Sequence, residues 1–501
     1  MKIFRLIAAC AAVSVCASAP ALTNYTVNKA GTGSPNFTEL SACLAAVNTG
    51  LDTDYNIQFT DTATVQYDLS PAEITIRDGV KLVFAPDVEG VVTVNGRMNV
   101  AQGGGTMTAT GVSFINSGQW ALFHGYDGQT YTRCNFGPAA DNGLIFRGAT
   151  NTLTSCTFNS ITNSAIIASG GITNVNGGTW TDCGRVGVAG YGGDTNPSNG
   201  LFINGGTATK NQFGQAFVVT GFRLTVNNFT STGYNCMLCH DWETGGDGGL
   251  GWLTANNCTF TNVADRMIAY YQNVPNSENK DTTITANNCL FENRAASGAD
   301  LCVIDARNIG NNGTVILNGC ILRGLNTANV ASGLVCWQGG LIMANNTVID
   351  GTANPVLATS ENSGFDAAIK LNHCVVANGK TQAAICSDMA NTILWVRNSI
   401  IDASNAVGIN AAGTNNQKLV DYNLINSSGN YDGTNVSTGN PMYVDPPYGN
   451  WRTGLGSAAH GKGTPTDLLY DVDGNAYDAT APDCGINQVT TTAVPDWAIY
   501  N

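Results

Sequence analysis

Charged side chains are scarce in this sequence, and basic ones are the scarcest. Only 12% of the 501 residues are charged, with 22 Lys and Arg against 36 Asp and Glu, so the formal net charge is −14. Nucleic acids and other polyanions are bound through concentrated positive charge, so this composition argues against either as the main partner. Uncharged glycans and divalent cations fit the composition better.

Long apolar segments are lacking beyond the start of the chain. Residues 1–5 begin with a basic stretch, residues 6–15 are apolar, and small residues follow up to Ala21. This order is typical of a bacterial secretory signal peptide, and we expect cleavage after Ala21. No later run approaches the roughly 18 apolar residues that a membrane-spanning helix needs. The sequence therefore predicts a secreted protein, extracellular or at the cell surface, without a membrane span.

The chain has no pair of Cys-x-x-Cys motifs of the kind that binds zinc, although it contains 16 cysteines. Loss of Cys10 and Cys16 with the signal peptide leaves 14 in an oxidising compartment, where one interpretation is a disulfide framework. The other, which we favour, is a stack of buried thiols. Equivalent residues on neighbouring parallel strands lie about 4.8 Å apart, farther than the roughly 3.8 Å between the Cβ atoms of a disulfide.

What the sequence does contain is a repeat. Residues 254–260 (TANNCTF) return 31 residues later as 285–291 (TANNCLF). Weaker copies follow at 317–322, 344–349, 371–376, 397–401 and 421–425, and earlier ones end at Phe114, Phe136, Phe158 and Trp180. Each copy alternates in the manner of a half-buried strand, and a spacing of 22 residues is too short for a strand, a helix and a strand. The sequence thus predicts an all-β solenoid, a parallel β-helix in which each turn pairs with the next.

Two residue types keep fixed positions in the repeat, Asn at one and Cys two residues later. The positions are Asn256, Asn287, Asn318, Asn345 and Asn372, and Cys134, Cys156, Cys258, Cys289, Cys320 and Cys374. We expect the stacked Asn side chains to hydrogen-bond from turn to turn and the stacked cysteines to be buried.

The ends of the chain differ from the repeat. Apolar residues from Phe37 to Val47 fall at helical spacing before Asn48 and Gly50, which predicts a helix that caps the first turn. We therefore assign 22–53 to an N-terminal segment with this helix, 54–440 to the β-helix and 441–501 to a closing segment. Residues 181–225 do not fit the repeat cleanly, and residues 190–200 have the composition of a long loop. Residues 471–475 (DVDGN) lack the closing acid of a calcium loop, so they predict a turn.

Several segments resemble a known family. The opening GSPNFTEL (33–40) and the Asn-x-Cys-x-Phe copies resemble the right-handed parallel β-helix proteins of the pectate-lyase-like superfamily. The closing segment, with NPMYVDPPYGNW (440–451) and PDCGI (482–486), is similar to that of secreted bacterial β-helix proteins called choice-of-anchor Q. The resemblance implies a right-handed β-helix. It does not imply one activity, because the superfamily includes lyases, hydrolases, esterases, adhesins and phage spikes.

A second apolar strand in each loop-bearing turn ends in residues suited to sugar chemistry. Aligning Cys239, Ala269, Ile304 and Val335 places these ends on one lateral face. The catalytic candidates are His240, Asp241, Asp305 and Arg307, and the substrate-binding candidates are Trp242, Tyr270, Tyr271, Gln272, Trp337 and Gln338. Aromatic rings pack against the C–H faces of sugars, while acids and amides bind hydroxyls.

Asp241, Glu243 and Asp247 lie in or beside a Gly-rich loop, and three readings of them stay open. The loop is a solvated turn, a Ca²⁺ site built from carboxylates on flexible backbone, or one half of an acid–base pair. A lyase would use Ca²⁺ together with a basic side chain such as Arg307 or Arg266.

Two functions follow from these observations. The first is a secreted protein that binds an extracellular polysaccharide or cell-surface glycan on a lateral face of the solenoid. A variant of this hypothesis adds cleavage of the glycan by a lyase- or hydrolase-like reaction. The second is a non-catalytic structural or adhesive surface protein. The strings of pectin methylesterases, polygalacturonases and pectate lyases are missing, so the sequence leaves open whether the protein is an enzyme.

Overall fold

A computed structural model of the protein describes most of the chain between residues 22 and 490. The described ranges are 22–31, 36–100, 105–116, 122–125, 128–148, 150–190, 196, 198–211, 214–240, 251–261, 266–271, 283–293, 300–305, 313–324, 332–337, 340–352, 354–359, 367–378, 383–387, 392–403, 407–410, 417–427 and 433–490. Within them the structure is almost all β-strand, with one α-helix, Leu40–Thr49, and one 3₁₀ helix, Pro446–Tyr448.

The strands stack in three columns, sheets A, B and C, which the chain visits in that order in each turn. Sheet A contains Thr23–Val27, Asp54–Phe59, Lys81–Pro86, Thr106–Thr110, Gln129–Thr132, Trp252–Asn256, Thr283–Asn287, Thr314–Asn318, Leu341–Asn345, Ala367–Asn372, Thr392–Arg397 and Gln417–Asp421. Sheet B contains Ser113–Asn116, Asn135–Ala139, Thr259–Thr261, Leu290–Asn293, Ile321–Gly324, Val348–Asp350, Val375–Ala377, Ile400–Ala403, Leu424–Ser427 and Ser437–Thr438.

Sheet C contains Phe123–Gly125, Leu144–Phe146, Ser164–Ala168, Arg185–Ala189, Gln215–Val219, Cys236–His240, Arg266–Tyr271, Asp300–Asp305, Ser332–Trp337, Asn354–Thr359, Ala383–Ser387 and Val407–Asn410. Four long strands pass through sheets A and B: Thr150–Asn159, Ile172–Thr181, Gly200–Thr209 and Arg223–Thr232. Val65–Ile76 and Val92–Val100 pass through sheets B and C. Each strand pairs in parallel with its equivalent in the next turn, so the predicted right-handed parallel β-helix is confirmed.

The asparagine ladder on the outer edge of sheet A forms as predicted over most of its length. The Asn287 amide nitrogen donates to the Asn256 amide oxygen at 2.7 Å, and Asn318 donates to Asn287 at 2.8 Å. The same bonds continue up to Asn345 and down to Asn227. A side-chain amide offers both donors and an acceptor, so one residue can bond to the turns above and below.

The next residue in each turn makes the bend between sheets A and B in the left-handed conformation. Asn257 and Asn288 have φ values of 53° and 52°, and Gly319 has 62°. Asn and Gly tolerate this conformation better than other residues, so their recurrence here has a local cause. His373 and Tyr422 adopt it as well, with φ of 52° and 51°.

The interior is a column of rings and thiols. Phe136, Phe158 and Trp180 stack on consecutive turns with ring centroids 5.2 and 5.1 Å apart. Each cysteine whose side chain the structure describes is buried and lies outside any disulfide, which confirms the buried-thiol interpretation for these residues; the side chain of Cys386 lies outside the described residues. Burial raises the pKa of the Cys134 thiol to about 12, so it stays protonated and unreactive.

Residues 181–225 do not fit the repeat cleanly in sequence, but their strands keep its register in the structure. Gly200–Thr209 pairs in register with the turns on either side. The pattern is lost because Gly178 and Gly206 replace cysteine where Trp180 fills the interior. A Cβ at either glycine would lie only 3.1 or 2.9 Å from the Trp180 ring. The loop residues 191–195 and 197 lie outside the described residues.

Both ends of the solenoid carry the expected elements. The helix Leu40–Thr49 ends at Gly50 and buries Leu40, Cys43, Leu44 and Val47 in the core, as its spacing predicted. The predicted turn also forms, because the Asp471 carboxylate accepts the backbone N–H groups of Asp473 and Asn475 at 2.9 and 2.8 Å. No helix within the described residues has the length and apolarity that crossing a membrane requires.

The closing segment folds back along the outside of sheet B. Its hairpin, Tyr443–Asp445 with Asn450–Thr453, and the residues up to Ile486 pack against the outward side chains of that sheet. The members of this apolar contact are Ile321, Val348, Val375, Ala377, Ile400, Leu424, Tyr443, Trp451, Ala458, Ala459, Val472, Cys484 and Ile486. The turns nearest the C-terminus, which we call the upper turns, are therefore covered on this side.

Candidate functional site

The structure describes the backbone of only part of the predicted site. His240, Tyr270, Tyr271, Asp305 and Trp337 end strands of sheet C. The other candidates lie outside the described residues: Asp241, Trp242, Glu243, Asp247, Gln272, Arg307 and Gln338.

The register corrects the sequence alignment of this face by one residue. Ala269 pairs with Val303 rather than Ile304, so Asp305 pairs with Tyr271 below and Trp337 above. The alignment failed because the apolar run ends at Ile304, whereas the strand continues through Asp305. A one-residue slip moves a side chain to the opposite face of a sheet, so the correction changes which residues are neighbours.

The corrected register places an aromatic, an acid and an aromatic at one position of three consecutive turns. These are Tyr271, Asp305 and Trp337. His240 and Tyr270 share the preceding position of sheet C. The predicted Ca²⁺ ligands are not among the described residues, and within the described ranges no group of three His, Cys, Asp or Glu side chains is arranged to hold a metal.

A fully described candidate lies elsewhere, on the outer face of sheet A in the upper turns. One outward position carries Ile316, Met343, Lys370, Trp395 and Leu419 on five consecutive turns. Five turns about 4.8 Å apart make a row roughly 19 Å long. We call this row of five outward residues the sheet A shelf. Trp395 is 41% exposed and Leu419 38%, so the shelf presents apolar surface to solvent.

Lys370 and Trp395 form the centre of the shelf. The Lys370 ammonium nitrogen lies 3.9 Å from the centre of the Trp395 ring, which is a cation–π contact. The neighbouring outward position carries Asn372 and Arg397, and Arg397 is bound through both ends of its guanidinium to Asp421 at 2.9 and 3.1 Å. The ion pair raises the pKa of Arg397, which therefore stays charged.

The closing segment forms a border along one side of the shelf. Asn398 donates to the Thr464 carbonyl at 2.7 Å, Asn372 to the Thr466 hydroxyl at 3.4 Å, and Asn346 to the Tyr470 carbonyl at 2.9 Å. Residues 464–470 therefore descend beside the turns from Asn398 to Asn346. Tyr470 is 57% exposed at the lower end, so a second ring stands at the border.

A charged cluster lies under the hairpin on sheet B. Arg323 contacts Glu292 at 3.6 Å and Asp350 at 3.3 Å, and Asp402 lies two turns above Asp350. Burial raises the pKa of Asp402, although its hydrogen bond from Asn426 acts the other way. Glu292 and Asp350 are buried and contact Arg323, so these acids do not offer an open cleft to a polymer.

The aligned repeat contains a sequence pattern that indicates the shelf. Its outward position is occupied by Thr225, Thr254 and Thr285 in the lower turns and changes to Ile316 and Met343 in the next two. Outward apolar residues on a solenoid wall indicate a contact surface. The interpretation that concentrated on sheet C overlooked this change.

Comparisons with known proteins give little beyond the fold. No family model matches the chain, and no curated protein matches it. Among solved structures it is similar to a mutant tailspike protein of Escherichia coli bacteriophage HK620, in complex with a pentasaccharide. The identity is 13%, the TM-score is 0.40, and the match covers 80% of this chain and 74% of the tailspike chain. At these values the match carries no information about the function of this protein.

Proposed function

We propose that the protein is secreted and binds a linear extracellular polysaccharide along the sheet A shelf. The observation that carries the proposal is the exposed Trp395 ring in a mostly apolar row that also contains Lys370, with the Asn372 amide at the neighbouring outward position. Sugar rings need apolar surface for their C–H faces and polar groups for their hydroxyls, and the shelf supplies both in parallel lines.

The contact between Lys370 and Trp395 is compatible with binding. An exposed cation–π contact contributes only about 0.5–1 kcal/mol, so a sugar ring displaces the ammonium group from the indole at small cost. Lys370 then donates hydrogen bonds to hydroxyl or carboxylate oxygens of the bound chain. Asn372 and Thr466 offer further partners at the border.

The shape of the shelf favours a polymer over a compact ligand. It runs along the solenoid axis for roughly 19 Å, so an extended chain contacts several turns at once. The net charge of −14 favours a neutral or weakly charged glycan.

As a separate part of the proposal, we assign cleavage of the polysaccharide to sheet C. The described acid beside the shelf, Asp421, is held in an ion pair by Arg397. The line of Tyr271, Asp305 and Trp337 supports a second glycan contact there, where Asp305 is the candidate acid or base. Asp241, Glu243 and Asp247 remain the proposed ligands for Ca²⁺.

A glycan array followed by titration with the best ligand tests the shelf. We expect Trp395→Ala to weaken binding roughly 5- to 30-fold, because one well-placed aromatic contact contributes about 1–2 kcal/mol. Tyr448→Ala is the matched control, since Tyr448 is 86% exposed on the hairpin, away from the shelf. The proposal fails if the wild-type protein binds no glycan, or if Trp395→Ala binds as tightly as wild type.

Depolymerisation assays with and without Ca²⁺ test the sheet C part. Asp305→Ala and Asp241→Ala should abolish any cleavage while leaving binding at the shelf intact. Cleavage that persists in both variants would remove these residues from the proposed mechanism. A wild-type protein that binds but never cuts would leave a non-catalytic adhesive protein.

A further inference from the structure

The lower turns of sheet B carry a second regular surface. One outward position holds Thr179, Thr207, Thr230 and Thr259 on four consecutive turns. The position two residues later holds Thr181, Thr209, Thr232 and Thr261 in the same register. Thr157 and Asn159 extend both lines by one turn. We call these ten residues the Thr-x-Thr array.

The array is a two-dimensional lattice. Turns are about 4.8 Å apart, and alternate residues along a strand about 6.6 Å. Threonine is β-branched and therefore restricted at χ1, so its methyl and hydroxyl groups recur with little variation. Thr179, Thr207, Thr209 and Thr230 are exposed in the centre of the surface. At the upper edge the hydroxyls of Thr232 and Thr261 bond to each other at 3.0 Å.

The composition of the array excludes most partners. None of its ten positions is charged or aromatic, although the chain carries a net charge of −14. A protein partner needs anchoring aromatic or Arg side chains, a nucleic acid needs positive charge, and a single glycan chain is best held by rings such as Trp395. A neutral lattice of hydroxyl and methyl groups complements a surface that is itself a neutral lattice of oxygen atoms.

Threonine is favoured at outward strand positions, and it is replaced where the closing segment covers the sheet. In the next turns the first line continues as Leu290, Ile321 and Val348, and the closing segment packs on the last two. Around the bend, sheet A continues the uncharged surface with Thr130, Thr152 and Asn174 at one outward position. The hydroxyl lattice therefore coincides with the part of the wall that faces water.

We propose that the Thr-x-Thr array binds the surface of ice. Ordered water molecules, held in rows by the hydroxyls and between the methyl groups, would join the growing crystal and attach the protein to it. This inference does not depend on glycan binding at the sheet A shelf, because the two surfaces lie on different sheets and different turns.

Slow growth of ice from a dilute solution of the full chain tests the proposal. We expect wild type to be incorporated into the ice and to produce thermal hysteresis, the gap between the melting and freezing points. Thr207→Tyr places a bulky ring at the centre of the lattice and should reduce both to background. Thr75→Tyr is the matched control, because Thr75 is an exposed strand threonine on sheet C in the first turns, away from the array. Unchanged circular dichroism excludes misfolding.

Other outcomes overturn the proposal. Exclusion of wild type from ice does so, as does full incorporation of a folded Thr207→Tyr. Retention of wild type on crystalline chitin or cellulose but not on ice, with loss in Thr207→Tyr, assigns the array to solid polysaccharide instead. Trp395→Ala must bind ice normally and Thr207→Tyr must keep its glycan affinity, which separates this inference from the proposed function.

Discussion

The lower and upper turns of sheet B share one backbone and one register but present different outward residues. In the lower turns the outward position is threonine at Thr179, Thr207 and Thr230, whereas in the upper turns it is Val375 and Ile400. The change coincides with the closing segment, which packs on the upper turns alone among the described residues. On sheet B the outward residue therefore depends on whether the closing segment covers it, and the strand accommodates either a threonine or an apolar residue.

At one turn the bend between sheets A and B also depends on the cover. In the bare turns Asn257 and Asn288 occupy the left-handed position, as local preference predicts. In a covered turn His373 occupies it, buried, with its ring stacked 3.8 Å from Tyr477 of the closing segment. Asn398 donates to its Nε2 at 2.9 Å. Contacts with the cover therefore offset an unfavourable local conformation.

Removing the central side chain of the closing segment should have the largest effect on the stability of the covered turns. Trp451 is 3% exposed and packs edge-on against Tyr443 at 5.0 Å, in the cluster that contains Val375 and Ile400. We expect Trp451→Ala to lower the free energy of unfolding by about 3–5 kcal/mol, because it opens a large cavity. Urea denaturation measures the change.

Trp395→Ala is the control for that experiment. Trp395 is 41% exposed, so its loss should cost less than about 1 kcal/mol. Equal losses in the two variants would contradict the view that the closing segment is an integral part of the folded upper turns. Limited proteolysis of Trp451→Ala should also release fragments near residue 440 sooner than in wild type.

A smaller effect is expected from acid. Burial lowers the pKa of His373 to about 4 from its ordinary 6.5, so the folded protein binds this proton less readily than the unfolded chain. Stability from the neutral ring is complete above pH 6.5 and is lost as pH falls toward 4. The shift corresponds to at most about 3 kcal/mol. Thermal unfolding between pH 7 and 4 measures it.

His373→Asn isolates this contribution from the other groups that titrate in the same range. Asn accepts the left-handed conformation and has no ionisable group, so the variant should lose part of the pH dependence even if its stability at pH 7 is lower. An identical slope in wild type and His373→Asn would show that protonation of His373 does not oppose the closing segment.

The fold could be predicted from the sequence because the residue pattern that indicates it is periodic. The Asn256 to Asn345 ladder and the cysteines two residues later repeat wherever the backbone repeats, so counting residues was enough to align the turns. The alignment failed where the interior residues of the repeat change, as at Gly206 and Ala208, which lie in the turn next to Gly178 and Trp180. Interior volume is shared between turns, and a single-turn pattern does not record it.

The candidate sites were harder to predict because they depend on contacts distant in sequence. The border of the shelf rests on bonds such as that from Asn346 to Tyr470, 124 residues apart. No local pattern announces such a contact. The face on sheet C was misaligned by one residue because an apolar run is a poor guide to where a strand ends, and Asp305 moved with it. Strand ends are also the least certain part of any such alignment.

A reciprocal pair of substitutions gives the smallest and sharpest test of the contrast between bare and covered turns. Val375→Thr keeps the side-chain shape but buries a hydroxyl beneath the closing segment, where Val375 has no exposed surface, and should cost about 1–3 kcal/mol. Thr230→Val makes the opposite change at the same position of sheet B in the exposed array and should change stability by less than about 0.5 kcal/mol. If the two costs are equal in urea denaturation, the strand position and not its cover determines the residue.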